Sequence, residues 1–417
     1  MLDQKTKRMI VDDRPSMGGF LRTSLAEREY CASTVTNADK PFVALTGNGA
    51  RSVTVEWINR AADIEALAGE WRALEAEVGN RTHLSTFDFL STWYRYYAGA
   101  YGGEPLIGLA WRGPRLVGVA PLAMRCGSLG RIPLTRVEFA PTDTPAGEFL
   151  VEDDHPETVS VLLDSLINTV KFDVISLDGL DPSSDHLVAL QNTAAKHRLA
   201  MELTDHAFAV ADLRHGYQAY YAGLSGHYRR NLKNRAGRVA AAGEAVVGGI
   251  HLTDGMEAME DCVARMIAIT EASYKLQGQR LADNHRECLA ELVRRFGERG
   301  MLSLPILSIG GKDAAFILGV VERGCFYDIT LSYDDSFEKL SPGSFLMQKT
   351  LENLAAAGVH TVVSHGAHDY KKHWATAFVA QKRVFLFAPG MRAAAARFIR
   401  FSMAPLWRRL RPDEHEI

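Results

Sequence analysis

Residues 302–333 read LSLPILSIGGKDAAFILGVVERGCFYDITLSY. Apolar runs flank the Gly310-Gly311 pair, the residue type that a two-residue hairpin turn demands because its backbone needs positive φ. The run at 314–321 is eight apolar residues long and reads as a buried strand. Strands are therefore expected at 302–309, 314–321 and 326–333. The stretch 334–340 reads as a loop, and Ser341-Pro342-Gly343-Ser344 opens a helix to about residue 357. A strand at 359–364, a short helix at 369–375 and two closing strands near 378–387 complete the order. Three antiparallel strands, a helical crossover and a further strand make a mixed-sheet α+β arrangement.

Working outward, helices are expected at 216–241, 256–276 and 284–299, so that 205–389 forms one domain. A preceding domain, 53–204, opens with a strand at 53–57 and a helix over 64–78 with Leu67, Trp71 and Leu74 on one face. A helix at 87–97 follows, then a hairpin pairing 106–111 with 116–122, a helix at 157–170 and a strand at 173–177. Both domains read as a helix pair followed by a meander, which fits an internal duplication although no sequence repeat is visible. Residues 1–52 lack periodicity and read as a disordered extension. Residues 390–417 form a basic amphipathic tail.

The chain has 417 residues, which at roughly 150 residues per domain fits two to three domains. Hydrophobic residues are 47% and charged residues 23%, ample for a core that needs neither metal nor disulfide. With 47 Lys and Arg against 50 Asp and Glu, the net charge of −3 excludes a protein that is basic throughout and coats nucleic acid. The five cysteines, Cys31, Cys126, Cys262, Cys288 and Cys325, are scattered and odd in number. That predicts a reducing compartment, no disulfide framework and no zinc site. No run approaches the ~18 apolar residues of a membrane span. No apolar segment follows the first charges, so the expected location is cytoplasmic.

Four stretches carry possible chemistry. Ser341, Pro342, Gly343 and Ser344 stand at a strand-to-helix junction, where free N–H groups and the positive dipole end bind phosphate, or where Ser-Pro simply caps the helix. The run His365-Gly366-Ala367-His368-Asp369-Tyr370-Lys371-Lys372-His373-Trp374 follows a buried strand. Its mixture of acid-base and cationic groups suits a substrate loop better than a metal site, and no metal is expected. Around Arg229 and Arg230, apolar residues recur every four positions while the other faces are basic. This helix either receives an anion (a nucleotide phosphate, a tRNA or an anionic sugar polymer) or is a solvated face. Residues 391–411 hold six arginines and no acid among aromatic residues. They either lie on an anionic membrane surface or pack on the body.

The order of elements and these motifs resemble the acetyltransferase domain of CelD-type proteins of bacterial cellulose and exopolysaccharide operons, members of the GNAT superfamily. The matching residues are Leu224-Ser225 with Arg229-Arg230-Asn231-Leu232, then Tyr333-Asp334, then Ser341-Pro342-Gly343, then Gly366 with Tyr370-Lys371 and Trp374. Phe87, Trp93 and 116–122 match the family's amino-terminal half, so the resemblance spans about 53–387. It implies a tandem GNAT architecture related to FemABX peptidyltransferases, with acetyl-CoA or another acyl-CoA as co-substrate. Ser341, Pro342, Gly343 and Ser344 would then receive the CoA pyrophosphate. Lys371, Trp374, Arg229 and Arg230 would hold a small-molecule or saccharide acceptor. The family's Asp-Phe-Gly-x-Gly run is replaced here by Val362-Val363-Ser364-His365-Gly366, which removes a carboxylate.

Acyl transfer needs a base for the attacking amine or hydroxyl and donors for the developing oxyanion. His365 is the first candidate base because its ordinary pKa lies near working pH. Asp334 is the alternative, and Tyr370 is placed to protonate the leaving thiolate. No cysteine lies in these motifs, which favours direct transfer. The competing expectations are an aminoacyl-tRNA-dependent ligase of the FemABX kind, nucleic acid being otherwise unlikely as a partner, and a non-catalytic subunit of a polysaccharide-synthesis complex. The tail adds a possible peripheral contact with the inner face of the membrane.

Overall fold

The computed structural model describes residues 52–79, 81–99, 103–129, 132–141, 147–250, 259–273, 276, 279–366 and 369–403. The expected extension before residue 52, the centre of the loop at 140–147, His368 and the tail beyond 403 lie outside these residues. Two compact units form: His206–Gln381, and a unit made by Met1–Asp205 with Lys382–Ile417. The second half of the last strand and the helix after it are thus grouped with the first unit, not with the second.

The first unit opens with β1 (Thr54–Ile58), α1 (Ala68–Glu77) and α2 (Phe87–Tyr97). It continues with β2 (Gly103–Arg112), β3 (Arg115–Leu129), β4 (Ile132–Phe139) and β5 (Leu150–Val151). Then come α3 (Glu157–Thr169), β6 (Val174–Leu180), α4 (Asp185–Lys196) and β7 (Ala200–Asp212), whose second half enters the next unit. Gly113, at φ +60°, turns β2 into β3, as the hairpin pairing 106–111 with 116–122 requires. β1, β2, β3 and β4 pair in order, all antiparallel, and β4 pairs with β6 in parallel. Helix α3 lies on β2 and β3, and α4 packs on α3. β4 and α4 are additions to the expected order; β4 is interrupted by Pro133 and by charges, which hides its period.

The second unit contains α5 (Gly216–Gly223), α6 (Gly226–Ala242), β8 (Ala245–Ile250), α7 (Met259–Glu271) and α8 (Asp283–Glu298). One continuous helix over 216–241 is corrected to two. Ser225 leaves helical geometry at ψ 144° and its hydroxyl accepts from the Tyr228 N–H, starting a new helix. The decisive hairpin follows as β9 (Leu302–Ile309) and β10 (Lys312–Glu322), with Gly310 and Gly311 at φ +58° and +76°. Next are β11 (Cys325–Tyr333), α9 (Pro342–Ala356), β12 (Thr361–Ser364) and β13 (Ala377–Phe387), a single strand where two were expected.

The second unit's strands run β7-β12-β11-β10-β9-β8, with β11 and β12 parallel and the other neighbours antiparallel. Residues 314–320 of β10 are buried without alternation, because both faces are covered. Helix α9 packs on β9, β10 and β11 and also against α5 and α6, while α7 and α8 pack on β9 and α7 on β8, β10 and β11. β13 returns to β6 of the first unit through 382–387, and α10 (Met391–Phe398) follows it. Cys262, Cys288 and Cys325 are free.

Candidate functional site

β11 and β12 pair for three residues, Cys325 with Thr361, Phe326 with Val362 and Tyr327 with Val363. The pairing then ends. β11 continues to Tyr333, while β12 stops at Ser364 and the chain turns through His365 and Gly366, the latter at φ +82°. The next residue on each strand marks this fork. The fully buried Ser364 hydroxyl donates to Asp328 Oδ2 across it.

His365 stands at the tip of β12 with its ring edge-on to Phe208, centroids 4.8 Å apart. Burial drives its pKa down to about 4; the Asp328 carboxylate opposes that shift and the Lys371 ammonium adds to it. Lys371 is itself buried, and its Nζ donates to the His365 carbonyl oxygen. Burial lowers the Lys371 pKa while Asp328 raises it. One carboxylate therefore faces two basic groups, and the four residues Asp328, Ser364, His365 and Lys371 form one cluster.

The remaining predicted residues are placed as follows. Tyr370 is exposed, with its ring 5.7 Å from Lys371 Nζ. Trp374 is not at a binding surface: it is buried in the apolar core, and its carbonyl accepts from Tyr220 Oη at 2.7 Å. Asp334 caps the 3-10 turn Asp335–Leu340 by accepting from the Ser336 N–H at 2.8 Å. It lies six residues beyond Asp328 along the chain, about 20 Å at strand rise, so it does not share the His365 cluster. Lys371 turns inward, away from the acceptor role expected for it. Arg229 Nη1 donates to the Ala222 carbonyl at 3.3 Å, and Arg230 is exposed.

At the amino end of α9, Ser341 takes a left-handed conformation (φ 55°, ψ 54°) and its side chain makes no cap. Pro342 occupies the first turn, and the N–H groups of Gly343 and Ser344 follow where a helix has no internal acceptor. Pro342 and Gly343 are buried and Ser344 is half-buried. Gly343 has a packing reason as well: a Cβ there would stand 2.9 Å from Leu331 Cδ2 on β11. The close approach of α9 to β11 accounts for this glycine without any ligand.

Asp328 and Ser364 were not singled out from sequence. The available signal is the one acid inside the strand run 325–333, a position that partial burial makes costly unless a partner is at hand. Only the register with β12 supplies that partner.

Residues 226–372 match the model of the Acetyltransferase (GNAT) domain family. This segment, about a third of the chain, is similar to a GNAT domain. The fold of the chain is also similar to that of FemX, at 13% identity and a TM-score of 0.51, covering 80% of this chain and 98% of that one. L-PGS from Bacillus licheniformis aligns at 10% identity and 0.48, covering 83% and 96%. A tandem GNAT protein from the clavulanic acid biosynthesis pathway aligns at 15% and 0.44, covering 80% and 98%. No curated protein matches the sequence. The GNAT segment spans α6 to the 3-10 turn Asp369–His373, and so contains both the fork and the amino end of α9. Among the described residues, no group of three or more His, Cys, Asp and Glu side chains could hold a metal.

Proposed function

We propose that the His206–Gln381 unit transfers an acyl group, acetyl first among the candidates, from acyl-CoA to an amine or hydroxyl of a small-molecule or saccharide acceptor. The observation that carries this reading is the fork between β11 and β12, within the GNAT-like segment, with a histidine and a carboxylate at its apex. The first turn of α9, through the Gly343 and Ser344 N–H groups, would take the donor's pyrophosphate. The edge of β11 beyond Tyr327, which β12 no longer pairs, would admit its extended amide arm, which adds to a strand edge as a peptide does.

The acceptor's N or O attacks the thioester carbonyl carbon while His365 takes its proton, and the C–S bond then breaks. At neutral pH the His365 ring is uncharged and ready to accept. Asp328 stabilises the imidazolium that forms, and Lys371 holds the His365 backbone in place. The exposed Tyr370 hydroxyl is suited to returning a proton to the leaving thiolate. The product is the acylated acceptor with free CoA.

A second reading, an aminoacyl-tRNA-dependent ligase of the FemABX kind, draws on α6, where Arg230, Lys233 and Arg238 are exposed and no acid occurs before Glu244. Thermal unfolding of the purified chain with acetyl-CoA, longer acyl-CoA or aminoacyl-tRNA separates the two. A rise in Tm with an acyl-CoA alone supports the first. A rise only with aminoacyl-tRNA supports the second, and no rise with either overturns both.

A further inference from the structure

β7 and β12 turn only one face to the core. Ala209 and Ala211 of β7 and Val362 of β12 pack in the cluster that holds α9, so the alternate residues point away from it. Val363 stands opposite Val210 and Ser364 opposite Ala209, which sets His365 opposite Phe208, where the two rings meet edge-on. β13 is the other neighbour of β7. The Thr376 N–H donates to the Val210 carbonyl at 2.7 Å and Lys382 Nζ pairs with Asp205, so β13 runs antiparallel to β7. Two residues on from Thr376 and two back from Val210, Phe378 falls opposite Phe208.

Phe378, Phe208 and His365 thus stand in one row across three strands, and the row ends at the fork. Phe378 is 40% exposed, while Phe208 and His365 are half-buried. The next pair along, Val210 with Val363, is half-buried and apolar. Burial keeps His365 uncharged at neutral pH, so the row carries no charge there.

A polyhydroxylated ring laid on this row would give up water from several hydroxyls and find one polar side chain, His365, in exchange. An apolar ring exchanges water for carbon without that cost and stacks on the phenylalanines. Resting on the acyl-transfer reading above, we propose that the acceptor carries its amine or hydroxyl on an apolar, ring-shaped body. That body lies along Phe378 and Phe208, and the nucleophile meets His365 at the fork.

The test uses the full chain and two amines, phenethylamine as the apolar probe and glucosamine as the polar one. Saturation-transfer NMR without any donor should show the phenethylamine ring against the protein and a much weaker signal from glucosamine. Phe378→Ala should lower the phenethylamine signal at least threefold while keeping the wild-type Tm, and Phe378→Tyr should retain most of the signal. With acetyl-CoA, kcat/KM for phenethylamine should exceed that for glucosamine at least tenfold. Phe378→Ala should raise the phenethylamine KM at least tenfold without moving the acetyl-CoA KM. Glucosamine bound or acetylated as well as phenethylamine overturns the proposal, as does a Phe378→Ala chain whose phenethylamine signal matches wild type. If phenethylamine binds through Phe378 yet no acyl-CoA raises Tm or is consumed, acyl transfer falls and the apolar site stands.

Discussion

His365 meets opposite influences: enclosure by protein lowers its proton affinity, while the Asp328 carboxylate restores part of it. Its ordinary pKa would place a rise in rate between pH 6 and 7; with the pKa near 4 the base is already deprotonated there. Once an acceptor is in hand, turnover should be flat with respect to this group from about pH 5.5 to 8, with an acid limb below about 5. His365→Ala should lower turnover by about 10²–10⁴-fold with little change in donor KM. A variant that keeps wild-type turnover removes His365 from the mechanism. Asp328→Asn removes the influence that raises the histidine pKa, so the acid limb should move to lower pH while kcat falls. A limb that stays in place would show that Asp328 does not act on His365. His365 itself was visible in the sequence as a polar residue after an apolar strand. Asp328 was not, because it stands 37 positions earlier and meets Ser364 only through strand register.

At the scale of elements, two junctions bear directly on stability. Gly343 sits where α9 presses on β11, and Gly343→Val would drive a side chain into Leu331. The expected loss is about 1–3 kcal/mol in urea unfolding, the usual cost of overpacking, and Leu331→Ala in the same chain should recover part of it. Simple addition of the two single effects would place the crowding elsewhere. At the break between α5 and α6, Ser225→Ala should cost about 1 kcal/mol through loss of the bond from the Tyr228 N–H. An unchanged unfolding midpoint would mean that solvent replaces this cap without cost. The apolar period continued through the break, which is why one helix was expected: periodicity reports the buried face, and a cap interrupts the backbone without interrupting that face.

For the molecule as a whole, acid should weaken the His206–Gln381 unit. His285 and His365 both lie there, and burial lowers each pKa to about 4. With folded values below the unfolded value near 6.5, the unfolded chain binds more protons between those limits. Stability is therefore intact above about pH 6.5 and declines as pH falls toward 4, by up to about 3 kcal/mol per site. Urea unfolding at pH 7, 5.5 and 4.5 should follow that decline, and His285→Gln should reduce its slope; a slope unchanged in this variant would clear His285. Local sequence alone specifies the mixed sheet order of 302–364, the hairpin at Gly310-Gly311, the junction at Ser341-Pro342 and the polar loop after β12. Each of these depends on local period and turn chemistry, which neighbouring residues carry. It takes the folded chain to show that Trp374 belongs to the core, that Asp334 is a turn cap, that Lys371 points inward and that Asp328 supplies a carboxylate beside His365. Those outcomes depend on which distant residues share a fork or a cluster, and that is set by strand register and packing, which no local stretch of sequence contains.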